Sequence, residues 1–139
     1  CYILYLDINQ YSCRKSIEKI LFITEYFPED IQILKKVMAL AKVFHAHIDC
    51  LYVKEPHQID NRENINEWEE IVKNEDVLLH SIMGNDVEGI ILDFIDLNKT
   101  NLITMHVYHK NFFEKLFQIS LSKKLSFHVN VPILAIHGS

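Results

Sequence analysis

The residues able to do chemistry in this chain gather toward its second half, around a His-x-x-His spacing at His106 and His109. Two imidazoles three positions apart supply half of a tetrahedral metal site, and no Cys or carboxylate adjoins them in sequence to complete one. No metal is therefore expected. With Tyr108 they read instead as a polar cluster filling volume. Ser120 has no neighbouring base and falls inside a helical pattern, which argues against a nucleophile. Glu25 ends an apolar run, where a carboxylate either orients a ligand hydroxyl or sits solvated at a helix entrance. Lys110, Lys115, Lys123 and Lys124 read as the charged outer face of a helix. Phe112, Phe113 and Phe117 read as core, as does Trp68. No acid, base and nucleophile assemble, so the chain is read as not an enzyme and as needing no cofactor.

These residues are carried by alternating strand-like and helix-like segments. Ile20–Ile23 is a short apolar run suited to a strand buried on both faces. Pro28, followed by Glu29 and Asp30, favours a helix start. Leu34, Val37, Met38, Ala41 and Phe44 then form one stripe. Strands are expected at Ile48–Val53, Val77–Met83, Leu102–Val107 and Val131–Ile136. Asn64 with Glu67, and Asn111 with Glu114, pair as capping boxes that open helices. Val87, Ile90, Ile91, Phe94 and Ile95 mark another helix. Such alternation predicts an α/β fold, a doubly wound parallel sheet with helices on both faces. Its ligand crevice lies beyond the carboxyl ends of the strands, where the winding reverses. Residues 17–139 form this domain. Residues 1–16 stand outside it as an extension or linker remnant, and Tyr2-Ile3-Leu4-Tyr5-Leu6 reads as an added edge strand or the tail of an upstream domain.

The composition sets the class. The chain has 139 residues, 49% of them hydrophobic, with only three glycines and three prolines. That suits a single domain with a genuine core. A formal charge of −5 argues against non-specific nucleic-acid binding, and no apolar run is long enough to suggest a membrane span. Cys1, Cys13 and Cys50 are too few and too widely spaced for a disulfide framework, so a reducing cytoplasm is expected. Cys50 reads as a small buried hydrophobe. The opening Cys1 suggests a fragment or processed product.

Across about residues 17–138 the chain resembles the universal stress protein family. Ile20-Leu21-Phe22-Ile23-Thr24-Glu25 is similar to that family's first strand, which usually ends Pro-Thr-Asp. Leu51-Tyr52-Val53 is similar to its second, Asn101-Leu102-Ile103-Thr104-Met105 to its fourth, and Val131-Pro132-Ile133-Leu134 to its last. The resemblance implies strand order 3-2-1-4-5, with the crevice between the first and fourth strands. It implies crevice positions at Thr24, Glu25, Val53, His106, His109 and Ser120, with Val53 facing an adenine and Glu25 near a ribose. ATP-binding members follow the fourth strand with Gly, two residues, Gly, nine residues, then Gly and a hydroxyl residue. Here those positions hold His106, His109, Ile119 and Ser120, so only the hydroxyl survives. Without glycines the backbone donors cannot turn toward phosphate, and a Cβ stands in its path.

Two functions follow as expectations. One is a non-enzymatic stress-response protein whose degenerate ATP motif leaves dimerisation and protein interaction as its output. The other is a small-ligand or nucleotide sensor, for ATP or AMP, with a rebuilt pocket. The uncharged segment Val131–Ile136 is expected at a sheet edge, where an unguarded strand invites pairing. The resemblance likewise implies a homodimer through that strand, or pairing within a tandem protein.

Overall fold

A computed structural model describes residues 2–5, 17–56, 62–106 and 131–136. In chain order the elements are β1 (Tyr2–Tyr5), β2 (Lys19–Ile23), a 3-10 turn (Pro28–Asp30), α1 (Ile31–Phe44), β3 (His47–Lys54), α2 (Arg62–Val72), β4 (Val77–Met83), α3 (Val87–Asn98), β5 (Leu102–His106) and β6 (Ile133–Ile136). The strands form one sheet in the order β1-β6-β5-β2-β3-β4. From β2 onward every pairing is parallel, which gives the expected 3-2-1-4-5 arrangement among five strands.

The central strand shows why the sequence adopts this order. Ile20, Leu21 and Phe22 are wholly buried and Ile23 is nearly so, because helices cover both sheet faces. Ile20 and Phe22 pack with Leu34 and Val37 of α1 and Trp68 of α2. Leu21 and Ile23 pack with Ile91, Phe94 and Ile95 of α3. The alternation of one strand thus fills two cores. Trp68 stacks on Phe22 at 6.0 Å between ring centres, confirming its packing role, and Cys50 is fully buried. The Asn101 side-chain carbonyl accepts from the Glu18 and Lys19 amides, both at 2.8 Å, and so pins the start of β2 to the start of β5.

Several boundaries differ from the sequence reading. The Pro28 start is met by a 3-10 turn before α1 begins. Asn64 and Glu67 do not cap a helix, because α2 already starts at Arg62 and both residues lie inside it. Asp86, by contrast, caps α3 by accepting from the Gly89 amide at 3.1 Å. The helix expected after Asn111 lies outside the described residues.

The sheet edge is the main correction. β6 was expected to end the sheet, but β1 pairs with it antiparallel, with Tyr2 opposite Ile136 and Tyr5 opposite Ile133. The edge alternative for Tyr2–Tyr5 is the one the backbone adopts. Ile133 and Ala135 are also buried, so a charge at either would disturb the core as well as the edge.

Removing a large side chain from the α1–α2 face of β2 should be costly. Phe22→Ala is expected to lower stability by about 3–5 kcal/mol, as for other buried aromatic truncations. Urea unfolding should show the midpoint falling with the slope unchanged.

Candidate functional site

The winding reverses between β2 and β5, and a compact polar network sits where their carboxyl ends meet. β2 delivers Thr24, β5 delivers His106, and the turn before α1 delivers Asp30. Asp30 is completely buried, Thr24 is 3% exposed and His106 is 7% exposed. The Asp30 carboxylate accepts from both neighbours: from the Thr24 hydroxyl at 2.9 Å and from His106 Nδ1 at 2.7 Å. An ionised Asp30 therefore fixes the proton on Nδ1 of the ring. Thr24 Oγ1 in turn accepts from the Tyr26 amide at 3.0 Å.

Tyr26 completes the floor. Its φ of 60° is left-handed, a conformation costing a bulky residue roughly 1–2 kcal/mol. Contacts at every side hold it there. Its ring meets Trp68 edge-on at 5.1 Å and Tyr52 at 6.0 Å. Its hydroxyl donates toward the backbone carbonyls of His80, at 2.6 Å, and Cys50, at 3.2 Å. Burial pushes the Tyr26 phenol and the Cys50 thiol well above their usual ranges, so neither supplies an ionised group near neutral pH.

The network's hydrogen bonds orient its members. A carboxylate bound to an imidazole is half of an acid–base constellation. The Thr24 proton, however, goes to Asp30 and not to His106, so this hydroxyl is not activated by the ring. The structure brings Thr24 and His106 together through Asp30. Glu25 follows Thr24 and is half-buried, and Val53 lies buried near the end of β3. His109 and Ser120 lie outside the described residues, with Lys110 and Ile119.

Sequence reasoning missed Asp30 and Tyr26. An acid behind a proline reads as a solvated first-turn residue, and its buried partner is 76 positions away. It also missed a second polar cluster, on β3 and β4. His47 bridges two carboxylates, with Nδ1 2.6 Å from Asp76 and Nε2 2.9 Å from Asp49. His80 Nε2 lies 2.9 Å from the same Asp49 oxygen. The other Asp49 oxygen is buried with no hydrogen-bond partner among the described residues. The alternation of His47 and Asp49 along a strand was the available signal. Among the described residues no three His, Cys, Asp or Glu side chains are disposed to hold a metal ion. No described helix is long and apolar enough to cross a membrane.

With the crevice at this junction, the comparison with solved structures is decisive for the architecture. A universal stress protein in complex with cAMP superposes with a TM-score of 0.62 at 13% identity, over 90% of this chain and 100% of that one. The fold is that of the universal stress proteins. A universal stress protein from Archaeoglobus fulgidus DSM 4304 gives a TM-score of 0.63 at 14% identity, over 89% of this chain. The chain spans 45% of that protein. No family model matches the chain, and no curated protein matches it in sequence.

Both clusters yield measurable expectations. His106→Ala leaves the buried Asp30 charge short of a partner and should cost about 3–5 kcal/mol. Adding Asp30→Asn should cost less than the two single losses summed, as a double-mutant cycle in urea would show.

For His47, burial alone would lower the pKa, but the hydrogen bonds to Asp76 and Asp49 outweigh it and raise it above 6.5. A raised folded value means the stabilisation is complete below pH 6.5 and is lost as pH climbs through that folded value. His47→Gln should flatten this part of the stability profile, measured as unfolding midpoints from pH 5 to 9.

Proposed function

We propose that the protein is a non-catalytic stress-response module of universal stress protein type, working through protein interaction with its nucleotide crevice occupied by its own side chains. One observation carries the reading: His106 is turned inward and tied to the buried Asp30. By the family resemblance, His106 occupies the first glycine position of the phosphate-binding loop. A glycine there would leave the backbone free to close on phosphate; an imidazole anchored to a carboxylate does not. The buried carboxylate also adds negative charge where a triphosphate would lie. That Thr24 donates to Asp30 and not to the ring supports an output without catalysis.

In this reading residues 17–139 are the working domain and residues 1–16 an extension or linker remnant. The three unpatterned cysteines support a cytoplasmic setting. The protein's partner is a second copy, or a tandem neighbour, pairing through Val131–Ile136, where it would have to take the place of β1 on the outer side of β6. The uncharged sequence Val131–Ile136 supports that choice, since β pairing there buries no charge.

A second reading, a small-ligand or nucleotide sensor, is favoured by the similar universal stress protein in complex with cAMP. A cyclic monophosphate asks far less of a phosphate cradle than ATP does. Thr24, Glu25 and Val53 stay at the strand ends to receive such a ligand, with His109 and Ser120 as further crevice positions.

Calorimetric titration separates the two. Mg-ATP at millimolar concentration should give no binding heat, and cAMP none either. A dissociation constant in the low micromolar range for either would install the sensor reading. Mass spectrometry of freshly purified, denatured protein should correspondingly release no nucleotide.

A further inference from the structure

Among the described residues β4 ends the sheet on the side away from β6, and its inner hydrogen bonds define its outer edge. The Ile48 amide donates to the Asp76 carbonyl at 3.1 Å, and the Gly84 amide to the Lys54 carbonyl at 3.0 Å. A strand residue sends its N–H and C=O to the same side, and that side alternates along the chain. The even-numbered residues from Asp76 to Gly84 therefore face β3. Val77, Leu79, Ser81 and Met83 direct theirs outward, donors and acceptors alternating along one edge.

The sequence of β4 does nothing to blunt this edge. Its seven residues, V-L-L-H-S-I-M, include no proline, lysine, arginine or acid. Val77 and Leu79 pack toward α1 and α2, and Ile82 toward α3, so alternation assigns Met83 to the first face and Leu78 to the second. Met83 is 64% exposed and Leu78 57% exposed. A long, uncharged edge with apolar flanks is a template for one more strand.

The surroundings select the occupant. Residues 62–98 hold ten Asp and Glu against two Lys and Arg, a formal −8 within a chain of −5. All ten acids are exposed. Four lie on α2 and three on α3, helices on opposite faces of the sheet. Glu75 and Asp76 precede β4, and Asp86 follows it. Two β4 edges meeting would bring two such segments together, so like-charge repulsion disfavours a second copy here.

We propose that the outer edge of β4 takes an extended segment of a different protein, uncharged at its centre and basic at both ends, which adds to the sheet as a further strand. The centre lies beside Leu78 and Met83. The basic ends meet acids about 20 Å apart, the length of the strand. Main-chain hydrogen bonds supply the affinity and the charges choose the partner. This surface is three strands away from β6 and does not depend on what fills the crevice.

The test uses the native chain and a synthetic peptide. The probe has paired lysines at each end and alternating valine and threonine over a centre as long as β4. In hydrogen exchange, the free chain should show fast amides at Leu79, Ser81 and Met83 beside slow ones at Leu78, His80 and Ile82. The peptide should slow the first three about ten-fold or more and leave residues 133–136 unchanged. Calorimetry should find binding that weakens with salt, and binding about ten-fold weaker for a peptide with glutamates at its ends. Methylating alternate peptide amides gives two further probes, and only the phase that spares the donors facing β4 should bind. Glu75→Lys with Glu88→Lys should weaken the lysine-ended peptide about five-fold or more.

Equal binding of the lysine-ended and glutamate-ended peptides would overturn the choice of partner. No protection of Leu79, Ser81 and Met83 at millimolar lysine-ended peptide would overturn the docking edge itself. Protection of the same amides that rises with protein concentration alone would put a second copy there, and would overturn the proposal as well. Each of these leaves the crevice titrations to be judged on their own.

Discussion

Everything in this molecule is referred to one strand. β2 is hydrogen-bonded on both sides, to β3 and to β5, and its four core residues face two different helical layers. A strand so placed cannot shift by one residue, because a slip would exchange the contents of both cores. Its fixed register delivers Thr24 to the sheet's carboxyl edge at a set height. The Asn101 carbonyl performs the matching task at the other end, holding the first amides of β2 to the start of β5. The crevice lies beyond the carboxyl ends of these two paired strands. Its position is thus a result of pairing, whatever fills it.

The network at the carboxyl ends of these strands is polar and mutually satisfied. Asp30, Thr24 and His106 are deeply buried, and each has a directed partner in the others. An apolar plug would close the same space but would not fix its own geometry so narrowly, since hydrogen bonds set angles as well as distances. Tyr26 does the complementary work beneath. Its unfavourable backbone is held by aromatic edges and by two strand carbonyls. Those carbonyls belong to β3 and β4, so the turn after β2 is fastened to the far half of the sheet.

The strands were legible because their signal is local. Ile20–Ile23 is an apolar run and Val77–Met83 a largely apolar stretch of strand length, and their order with the intervening helical stripes fixes the topology. Helix starts were less so. Asn64 and Glu67 have the right spacing for a capping box, yet helical propensity extends back to Arg62, where no proline or glycine stops it. The site divides the same way. Thr24 and His106 were singled out because they close strands at a predictable place. Asp30 looked like any first-turn acid, since its burial depends on a ring contributed by a strand far along the chain. β1 read as a strand, but the identity of its neighbour is a tertiary matter that no local pattern carries.

The adjacency of β2 and β5 has a temporal consequence. Ile20 lies beside Leu102, so the β5 side of β2 cannot be closed until synthesis has passed Leu102. During synthesis, β2, β3 and β4 can pair as they emerge, leaving the β5 side of β2 exposed in the interim. The late arrival of β5 covers that apolar edge and brings His106 to Asp30 in the same event. Maturation of the crevice and protection of the nascent chain from misassociation are then a single step, timed by the ribosome's progress and the slow closure of a long-range contact.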